Sequence, residues 1–224
     1  MKRMFAAALL AGATWVGAAG AASAQDNPWM VRVRAIGVMP DESADLSVAG
    51  GAALGGSVDI SDEYVPELDI TYFFGEHLAA ELILATTKHS VTATDVSAVA
   101  GADVKIGDVW VLPPTLTLQY HFTDMGAFKP YVGAGVNATL FYNEDHGATA
   151  DAIDYDSSIG PALQVGFDYD LDGEPGGWAF NADVKKIWIN SDVTVDFTTA
   201  LGATVKADAD INPLVVGLGF GYKF

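Results

Sequence analysis

The side chains that most often perform catalysis are few in this sequence and are scattered along it. Cysteine is absent, and the four histidines, His77, His89, His121 and His146, pair with no obvious serine or aspartate. Without cysteine there is no disulfide scaffold, no thiol nucleophile and no zinc site built on thiolates. Covalent catalysis needs a nucleophile together with a base that activates it. We therefore predict that the protein is not an enzyme and that it uses no metal and no cofactor.

Three short motifs look like known sites but stand in the wrong context. The acidic run 170–174 lacks the third acid and the distant glutamate of a calcium loop, and it predicts a turn instead. Gly217, Gly219 and Gly221 alternate inside a strand-like segment and open no helix, which argues against a dinucleotide site. We expect these glycines to make room on one face of a strand. The glycosylation-like triplet 137–139 also falls inside a predicted strand.

The composition combines acidity with a high apolar content. The 224 residues include 29 acids and 11 bases, for a formal net charge of −18, yet half of them are hydrophobic and 18% are charged. The negative charge argues against a nucleic-acid partner, which is held by neutralising its phosphates. The apolar content excludes a disordered chain. Because ordinary soluble domains carry about 25% charged residues, this chain is unusually apolar for a water-soluble protein.

Residues 1–24 have the three parts of a secretory signal peptide. Lys2 and Arg3 form the basic start, an alanine-rich apolar run follows, and Ala22-Ser23-Ala24 supplies the small-x-small cleavage site. A membrane anchor is the alternative, but the run is short and poor in leucine and isoleucine. We predict cleavage after Ala24, export, and one mature domain at 25–224.

The mature region alternates between apolar and polar residues with the period of a β-strand. Eight segments of about ten residues or more, the length that crosses a bilayer as a tilted strand, show this pattern. They are 29–39, 64–74, 78–88, 108–122, 128–142, 159–171, 178–190 and 214–224. The connections between them alternate between tight ones (75–76, 124–127, 172–177) and long ones rich in acid (40–63, 89–107, 143–158, 191–210).

This pattern predicts an all-β fold: an eight-stranded antiparallel transmembrane β-barrel with short periplasmic turns and long acidic extracellular loops. A closed barrel satisfies every backbone hydrogen bond within the membrane. The location predicted is the outer membrane of a Gram-negative cell, with the lipid bilayer and lipopolysaccharide as partners. The last segment presents Phe220, Tyr222 and Phe224 on one face. This ending resembles the assembly signal of outer-membrane barrels, which predicts recognition by the barrel assembly machinery.

Several stretches make the chain similar to the OmpW family. The most specific are Leu112-Pro113-Pro114-Thr115-Leu116 and the run 128–137, and the stretches 81–86, 120–122 and 217–224 fit as well. The resemblance covers the whole mature chain. It implies an eight-stranded barrel whose narrow apolar interior takes up small hydrophobic molecules, including alkanes in the AlkL-like branch. Thr87 stands where the family usually has a proline.

When both termini are placed in the periplasm, the residues that face the barrel interior differ in character between its lower and upper halves. Those in the lower half are charged, with acids and bases close to balance. Because an eight-stranded barrel is narrow and buried charges must be paired, we predict a salt-bridged plug. Its residues are Arg32, Arg34, Glu67, Asp69, Glu81, His121, Asp168, Asp183, Lys185 and Lys223.

The inward positions above the plug are apolar, where a polar lumen is usual. They predict an apolar ligand pocket that is open outward and closed below. Plain packing at the barrel mouth is the alternative reading of the same residues. The pocket residues are Ile36, Ile83, Val111, Phe141, Ile187 and Ile189.

Together these features predict a channel for small hydrophobic molecules. A ligand entering from outside would meet the plug, so lateral release between strands into the lipid is predicted. Proline cannot donate to a strand ladder, and five prolines fall within predicted strands. The opening is placed at Pro66, Pro113 and Pro114. The sequence leaves open a second function: a structural or surface-interaction barrel for adhesion, phage attachment or envelope stress, without transport.

Overall fold

The structure is a computed structural model, and it describes residues 27–49, 51, 53–97, 101–172 and 176–224. The predicted signal peptide lies outside these residues. Among the described residues, no helix combines the length and the apolar character needed to cross a membrane. The elements are β1 (Trp29–Met39), β2 (Ser43–Val48), β3 (Ser57–Ile60), β4 (Glu63–Phe73), β5 (Leu78–Ala85), β6 (Thr87–Val96), β7 (Ala102–Leu112), β8 (Thr115–His121), β9 (Phe128–His146), β10 (Ala152–Tyr155), β11 (Ser158–Asp170), β12 (Gly177–Ile187), β13 (Asn190–Phe197), α1 (Thr198–Leu201), β14 (Ala203–Asp210) and β15 (Leu214–Lys223).

Eight of these strands form a closed antiparallel barrel. The order around the wall is β1, β4, β5, β8, β9, β11, β12 and β15, and β15 pairs with β1 to close the ring. The tight connections join β4 to β5, β8 to β9 and β11 to β12, all at the end where Phe224 N donates to Trp29 O at 3.1 Å. Each barrel strand therefore has two neighbours and the wall has no free edge. The predicted eight-stranded barrel is confirmed.

Burial around the wall is the reverse of that in a soluble protein. In β8, Leu116 and Leu118 point outward and are 52% and 57% exposed, whereas Thr117 and Gln119 between and after them are buried. An apolar outside combined with a polar inside is the arrangement of a barrel that sits in lipid. The period-two alternation in the sequence is the direct cause, because successive side chains of a strand point to opposite faces.

Aromatic side chains gather near the tight turns. Trp29, Tyr72 and Phe74 make edge-to-face contacts with ring centroids 4.9 and 5.2 Å apart. Tyr222 makes the same kind of contact with Trp178 and Phe224, at 5.3 and 5.1 Å. Aromatic girdles of this kind mark the level at which a barrel passes from lipid to water.

The four long connections consist largely of strands, which corrects the prediction that those segments are loops. β3, β6, β7 and the upper half of β9 pair as one sheet that is continuous with the barrel, and β10, β13, β14 and β2 form a separate one. These two sheets continue the barrel upward as an extension. The sequence does indicate these strands through its alternation. In β13, for example, Val193, Val195 and Phe197 are buried on one face and alternate with polar residues.

Three of the predicted barrel strands are each divided in two. Segment 78–88 is interrupted at Thr86, segment 178–190 at 188–189, and segment 108–122 at the proline pair 113–114. The last interruption has a simple cause, because neither proline has an N–H to donate. In each case the lower piece belongs to the barrel and the upper piece belongs to the extension.

Candidate functional site

The lower layer of the barrel interior is organised around Arg32. Its guanidinium donates to both carboxylate oxygens of Asp168 in β11, at 2.9 and 2.6 Å, and pairs with Glu81 in β5 on its other side. Thr71 lies 2.6 Å from the same guanidinium and donates to Glu81 at 3.0 Å. All four residues are buried. The two-pronged geometry of arginine suits such pairing, because its donors match the spacing of carboxylate oxygens.

The upper layer is organised around Arg34 and Lys185. Arg34 pairs with Glu67 at 2.6 Å, with Asp69 at 2.7 Å and with Asp183. Lys185 Nζ donates to the two carboxylate oxygens of Glu67 at 2.8 and 3.0 Å. Arg34 and Glu67 are register partners on the neighbouring strands β1 and β4, whereas Asp183 and Lys185 come from β12, two strands from β1, so the pairs tie β12 to β1 and β4.

The structure brings together eight of the ten predicted plug residues in these two layers: Arg32, Arg34, Glu67, Asp69, Glu81, Asp168, Asp183 and Lys185. His121 is buried beside them, but its ring bonds to Gln119 at 3.0 Å and forms no ion pair with a described residue. Lys223 lies lower, with Nζ 4.4 Å from the ring centroid of Phe73.

Neutral polar residues complete the plug, and the sequence reasoning did not single them out. Gln164 donates to Glu81 at 3.0 Å and to Asp183, and it accepts from Gln119 at 3.0 Å. Asn181 donates to Asp168 at 2.9 Å and to the Tyr131 hydroxyl at 3.1 Å. Their inward position follows from the same alternation that placed the charges, so a search of the inward face for all polar residues would have found them.

Above the plug, the interior opens into an apolar cavity of about 470 Å³. All six predicted pocket residues lie on its wall: Ile36, Ile83, Val111, Phe141, Ile187 and Ile189. Phe141 is half-buried and the others are buried. Val111 and Phe141 are register partners on adjacent strands, whereas Ile189 lies between β12 and β13.

The cavity extends well beyond the six predicted residues. Its upper wall is made by the two sheets of the extension, through buried side chains that include Val91, Val109, Val193 and Phe197. Its lower boundary includes Glu67 and Lys185, so the ion pair of the plug is also the floor of the cavity. The sequence reasoning missed the upper wall because it treated those segments as loops.

A seam in the barrel wall lies beside the cavity. The β5–β8 ladder ends at the pair Ile83 and Thr115, and pairing resumes between β6 and β7 at Thr87 and Val111. Between these points, residues 84–86 face residues 112–114 with no ladder pair in the structure as described. We call this stretch the β5 seam.

The three prolines that were predicted to weaken the wall flank the upper end of β5 from both sides. Pro113 and Pro114 lie between β7 and β8, which corrects the prediction that they lie within a strand, and Pro113 lines the cavity. Pro66 lies within β4, one residue above the last β4–β5 pair, Glu67 and Ala85. The other two strand prolines, Pro130 and Pro161, lie within β9 and β11 at paired positions.

The β5 seam is bridged by side chains. Thr86 Oγ1 donates to Val111 O at 3.2 Å and lies 2.6 Å from the Tyr142 hydroxyl. On the other side, the carbonyls of both prolines bond to β9, where Ala138 N donates to Pro114 O at 3.0 Å and Asn137 Nδ2 to Pro113 O at 3.0 Å. The proline segment is therefore anchored to β9 and faces β5 without a backbone ladder.

Outside the membrane, the polar surface of the extension holds its own charge cluster. Hydrogen bonds from Lys105, Ser90 and Lys88 lower the pKa of Asp108 to about 2. The two lysines lie 3.0 and 3.1 Å from its carboxylate. This cluster clamps β6 to β7 on the outer face and takes no part in the cavity lining.

The residues of the predicted assembly signal lie on the outer face of β15. Phe220 and Phe224 are more than half exposed, and Tyr222 is 38% exposed. They therefore face the lipid rather than the lumen, and their recognition by the assembly machinery stays a prediction.

The closed wall, the apolar outside and the aromatic girdle define an outer-membrane β-barrel protein. The sequence matches the OmpW family over residues 25–224, and the chain belongs to that family. It is 45% identical over 198 residues to the uncharacterized outer-membrane protein y4mB of Sinorhizobium fredii, covering 88% of this chain and 80% of that one. It is 30% identical over 219 residues to the dibenzothiophene metabolism operon protein PahQ of Pseudomonas aeruginosa, covering 96% and 93%.

The fold has a close counterpart among solved structures. The crystal structure of the outer membrane protein OprG from Pseudomonas aeruginosa matches with a TM-score of 0.80 at 32% identity, covering 88% of this chain and 95% of that one. The family, together with the outer-membrane proteins y4mB and OprG, places this protein in the outer membrane, as the sequence predicted.

Proposed function

We propose that the protein is a channel through which small hydrophobic molecules cross the outer leaflet and leave sideways into the membrane. The observation that carries the proposal is the apolar cavity of about 470 Å³ standing directly on a closed charged plug. A cavity with an apolar lining favours ligands that gain free energy by leaving water. Its size suits a small molecule and excludes a folded protein or a polysaccharide chain.

The plug argues against passage straight through the barrel. An apolar molecule moving downward would have to separate Lys185 from Glu67 and Arg34 from its three carboxylates. Breaking a buried pair leaves uncompensated charge in a low-dielectric interior, which costs several kcal/mol for each pair. An apolar ligand offers nothing that would replace those interactions.

The β5 seam offers a route of lower cost. There the wall is held by the Thr86 side chain and not by a ladder, and Ala85 and Pro113 line the cavity at that height. Opening the seam breaks few hydrogen bonds, and the lipid on the other side is a favourable destination for an apolar molecule.

One relative supports the ligand class. PahQ is named as the product of a dibenzothiophene metabolism operon, and dibenzothiophene is a small apolar aromatic compound. The resemblance of the proline pair and of the run 128–137 to the OmpW family points the same way.

The test compares uptake of n-octane by cells that make the protein, cells that lack it and cells that make variants. In the seam variant, Pro113→Val with Pro114→Thr, the backbone N–H groups are restored. Successive residues of a strand direct these groups to opposite neighbours, so one of them becomes available to pair with β5. We expect its uptake to fall toward that of cells lacking the protein. Pro161→Val, which changes a proline at a paired position of β11, is the matched control and is expected to leave uptake unchanged.

The axial route is tested by the plug variant Lys185→Ala with Asp183→Ala. If this variant raises octane uptake while the seam variant changes nothing, then the lateral route is wrong. The second function considered, a surface-interaction barrel without transport, predicts a lumen filled by its own side chains. The open cavity counts against it, and equal octane uptake with and without the protein would restore it.

A further inference from the structure

One polar group in the cavity wall stands out among the apolar lining. Tyr155, in β10, lines the cavity, and its side chain is buried, with 9% of the residue exposed. Its ring stacks on Phe141, with centroids 5.2 Å apart and planes 21° from parallel. Within the described part of the chain its hydroxyl has no hydrogen-bond partner.

The other buried polar side chains along the wall are satisfied. His89 bonds to Ser61 O and to Thr87 Oγ1, both at 2.8 Å. Thr139 donates to Asn137 at 2.6 Å, and Lys185 donates to Glu67. A buried hydroxyl without a partner costs free energy, because it has given up water and gained nothing in exchange. Tyr155 is therefore an exception that the fold itself does not explain.

The cavity is the side from which a partner can reach this hydroxyl, because the residue is shielded from bulk solvent and forms part of the cavity wall. A phenol donates a hydrogen bond more strongly than it accepts one, which favours a ligand that carries an acceptor. The Glu144 carboxylate accepts from Tyr155 N at 3.4 Å, so the surroundings carry negative charge. A second negative charge on the ligand would be repelled, which favours a neutral acceptor.

We propose that Tyr155 is a specificity residue, an inference that rests on the proposed function. It selects small apolar molecules bearing one neutral hydrogen-bond acceptor, such as a ketone, over the bare hydrocarbon. The apolar wall binds the hydrocarbon part, and the Tyr155 hydroxyl donates to the oxygen. Burial, with help from Glu144 and Asp108, raises the pKa of this phenol, so it keeps its proton and stays a donor at neutral pH.

The experiment measures binding of n-octane, 2-octanone and octanoate to the protein in lipid nanodiscs by calorimetry, with empty nanodiscs as the baseline. In Tyr155→Phe we expect 2-octanone to bind about fivefold more weakly than to the wild type, the fold-change of one net hydrogen bond, with octane binding unchanged. Tyr169→Phe removes a hydroxyl from an exposed tyrosine of β11 outside the cavity lining and is expected to change neither ligand.

The outcomes separate this inference from the proposed function. If Tyr155→Phe changes the binding of octane and of 2-octanone equally, or changes neither, the specificity role is overturned and the proposed channel function stands. If octanoate binds more tightly than 2-octanone, the preference for a neutral acceptor is overturned. Absence of any binding above empty nanodiscs overturns the hydrophobic pocket itself. A heat-dependent shift in electrophoretic mobility verifies that each variant is folded.

Discussion

Lys185 and Glu67 form an ion pair that is at once the top of the plug and the floor of the cavity. Nζ lies 2.8 and 3.0 Å from the two carboxylate oxygens, and both residues line the cavity above. This ion pair marks the boundary between the charged lower half of the barrel interior and the apolar upper half. The lower half holds the walls together, and the upper half provides the apolar surface.

Removing this pair tests its structural role. We expect Lys185→Met to lower the free energy of unfolding by about 3 kcal/mol, because Glu67 loses a buried partner. This cost lies at the low end of the range for breaking a buried ion pair, since Arg34 still neutralises Glu67. Lys186→Met, which removes an ion pair with the exposed Asp41 and a hydrogen bond to Asn212 O, is the control and should cost about 1 kcal/mol. Urea titration of the barrel in lipid vesicles measures both. Equal effects of the two substitutions would show that the pair has no special role.

Charge placed in the cavity should abolish its use by apolar ligands. Phe141→Asp puts a carboxylate against the apolar wall, where it must either stay hydrated or gain a proton. We expect octane uptake to fall to the level of cells without the protein. Ala148→Asp adds the same charge at an exposed turn position after β9 and should leave uptake unchanged. Unchanged uptake in Phe141→Asp would mean that ligands do not pass through this cavity.

The Tyr155 hydroxyl, which has no hydrogen-bond partner among the described residues, affects stability as well as specificity. Because Tyr155→Phe removes a buried polar group without a partner, we expect it to stabilise the protein, by about 1 kcal/mol. Tyr142→Phe is the opposite case, since its hydroxyl lies 2.6 Å from Thr86 Oγ1, and we expect it to destabilise by a similar amount. Thermal unfolding followed by circular dichroism distinguishes the two. A loss of stability in Tyr155→Phe would show that the hydroxyl has a partner in solution.

The barrel was predictable from the sequence because its two determinants are local. Alternation places Leu118 outside and Gln119 inside whatever the distant contacts are, and the length of each segment matches the membrane. The charged plug followed for the same reason: Arg32 and Asp168 are far apart in sequence, yet both must face one narrow lumen. The partner of each charge was not predictable, because it depends on the stagger of the strands around the ring.

The upper cavity was only half predictable, and the missing half has a physical cause. Alternation in segments such as β13 indicates a strand, but their acidic outer face suggested solvated loops. What decides between the two is pairing with strands far away in the chain, such as β14 with β2, and no local signal reports that. The unpartnered state of Tyr155 is a property of packing and could not be read from its neighbours in sequence.

The charge cluster around Asp108 makes the extension sensitive to acid. The pKa of this carboxyl in the folded protein, about 2, lies below its ordinary value of about 3.9. Its bonds to Lys105 and Lys88 therefore contribute their full stability at pH values above about 3.9, and this contribution is lost as the pH falls toward 2. Carbon-detected NMR titration should place the midpoint near 2. In Lys105→Met with Lys88→Met we expect the midpoint to rise toward the ordinary value. A midpoint that stays near 4 in the wild type would show that the cluster does not form.

The alternating glycines of β15 have a structural role that the lumen dictates. Gly219 faces Arg34 across the β1–β15 ladder, and a Cβ on Gly219 would meet the Val33 carbonyl oxygen first and would lie 2.6 Å from Arg34 Cα and 2.8 Å from its Cγ. Since Arg34 is held by three carboxylates, it has little freedom to move away. We therefore expect Gly219→Ala to destabilise the barrel by about 1–3 kcal/mol through overpacking. Gly75→Ala, at a tight turn where a Cβ meets no atom within 4 Å among the described residues, is the control and should be close to neutral. Urea titration compares the two variants, and a neutral Gly219→Ala would mean that the plug yields to accommodate a methyl group.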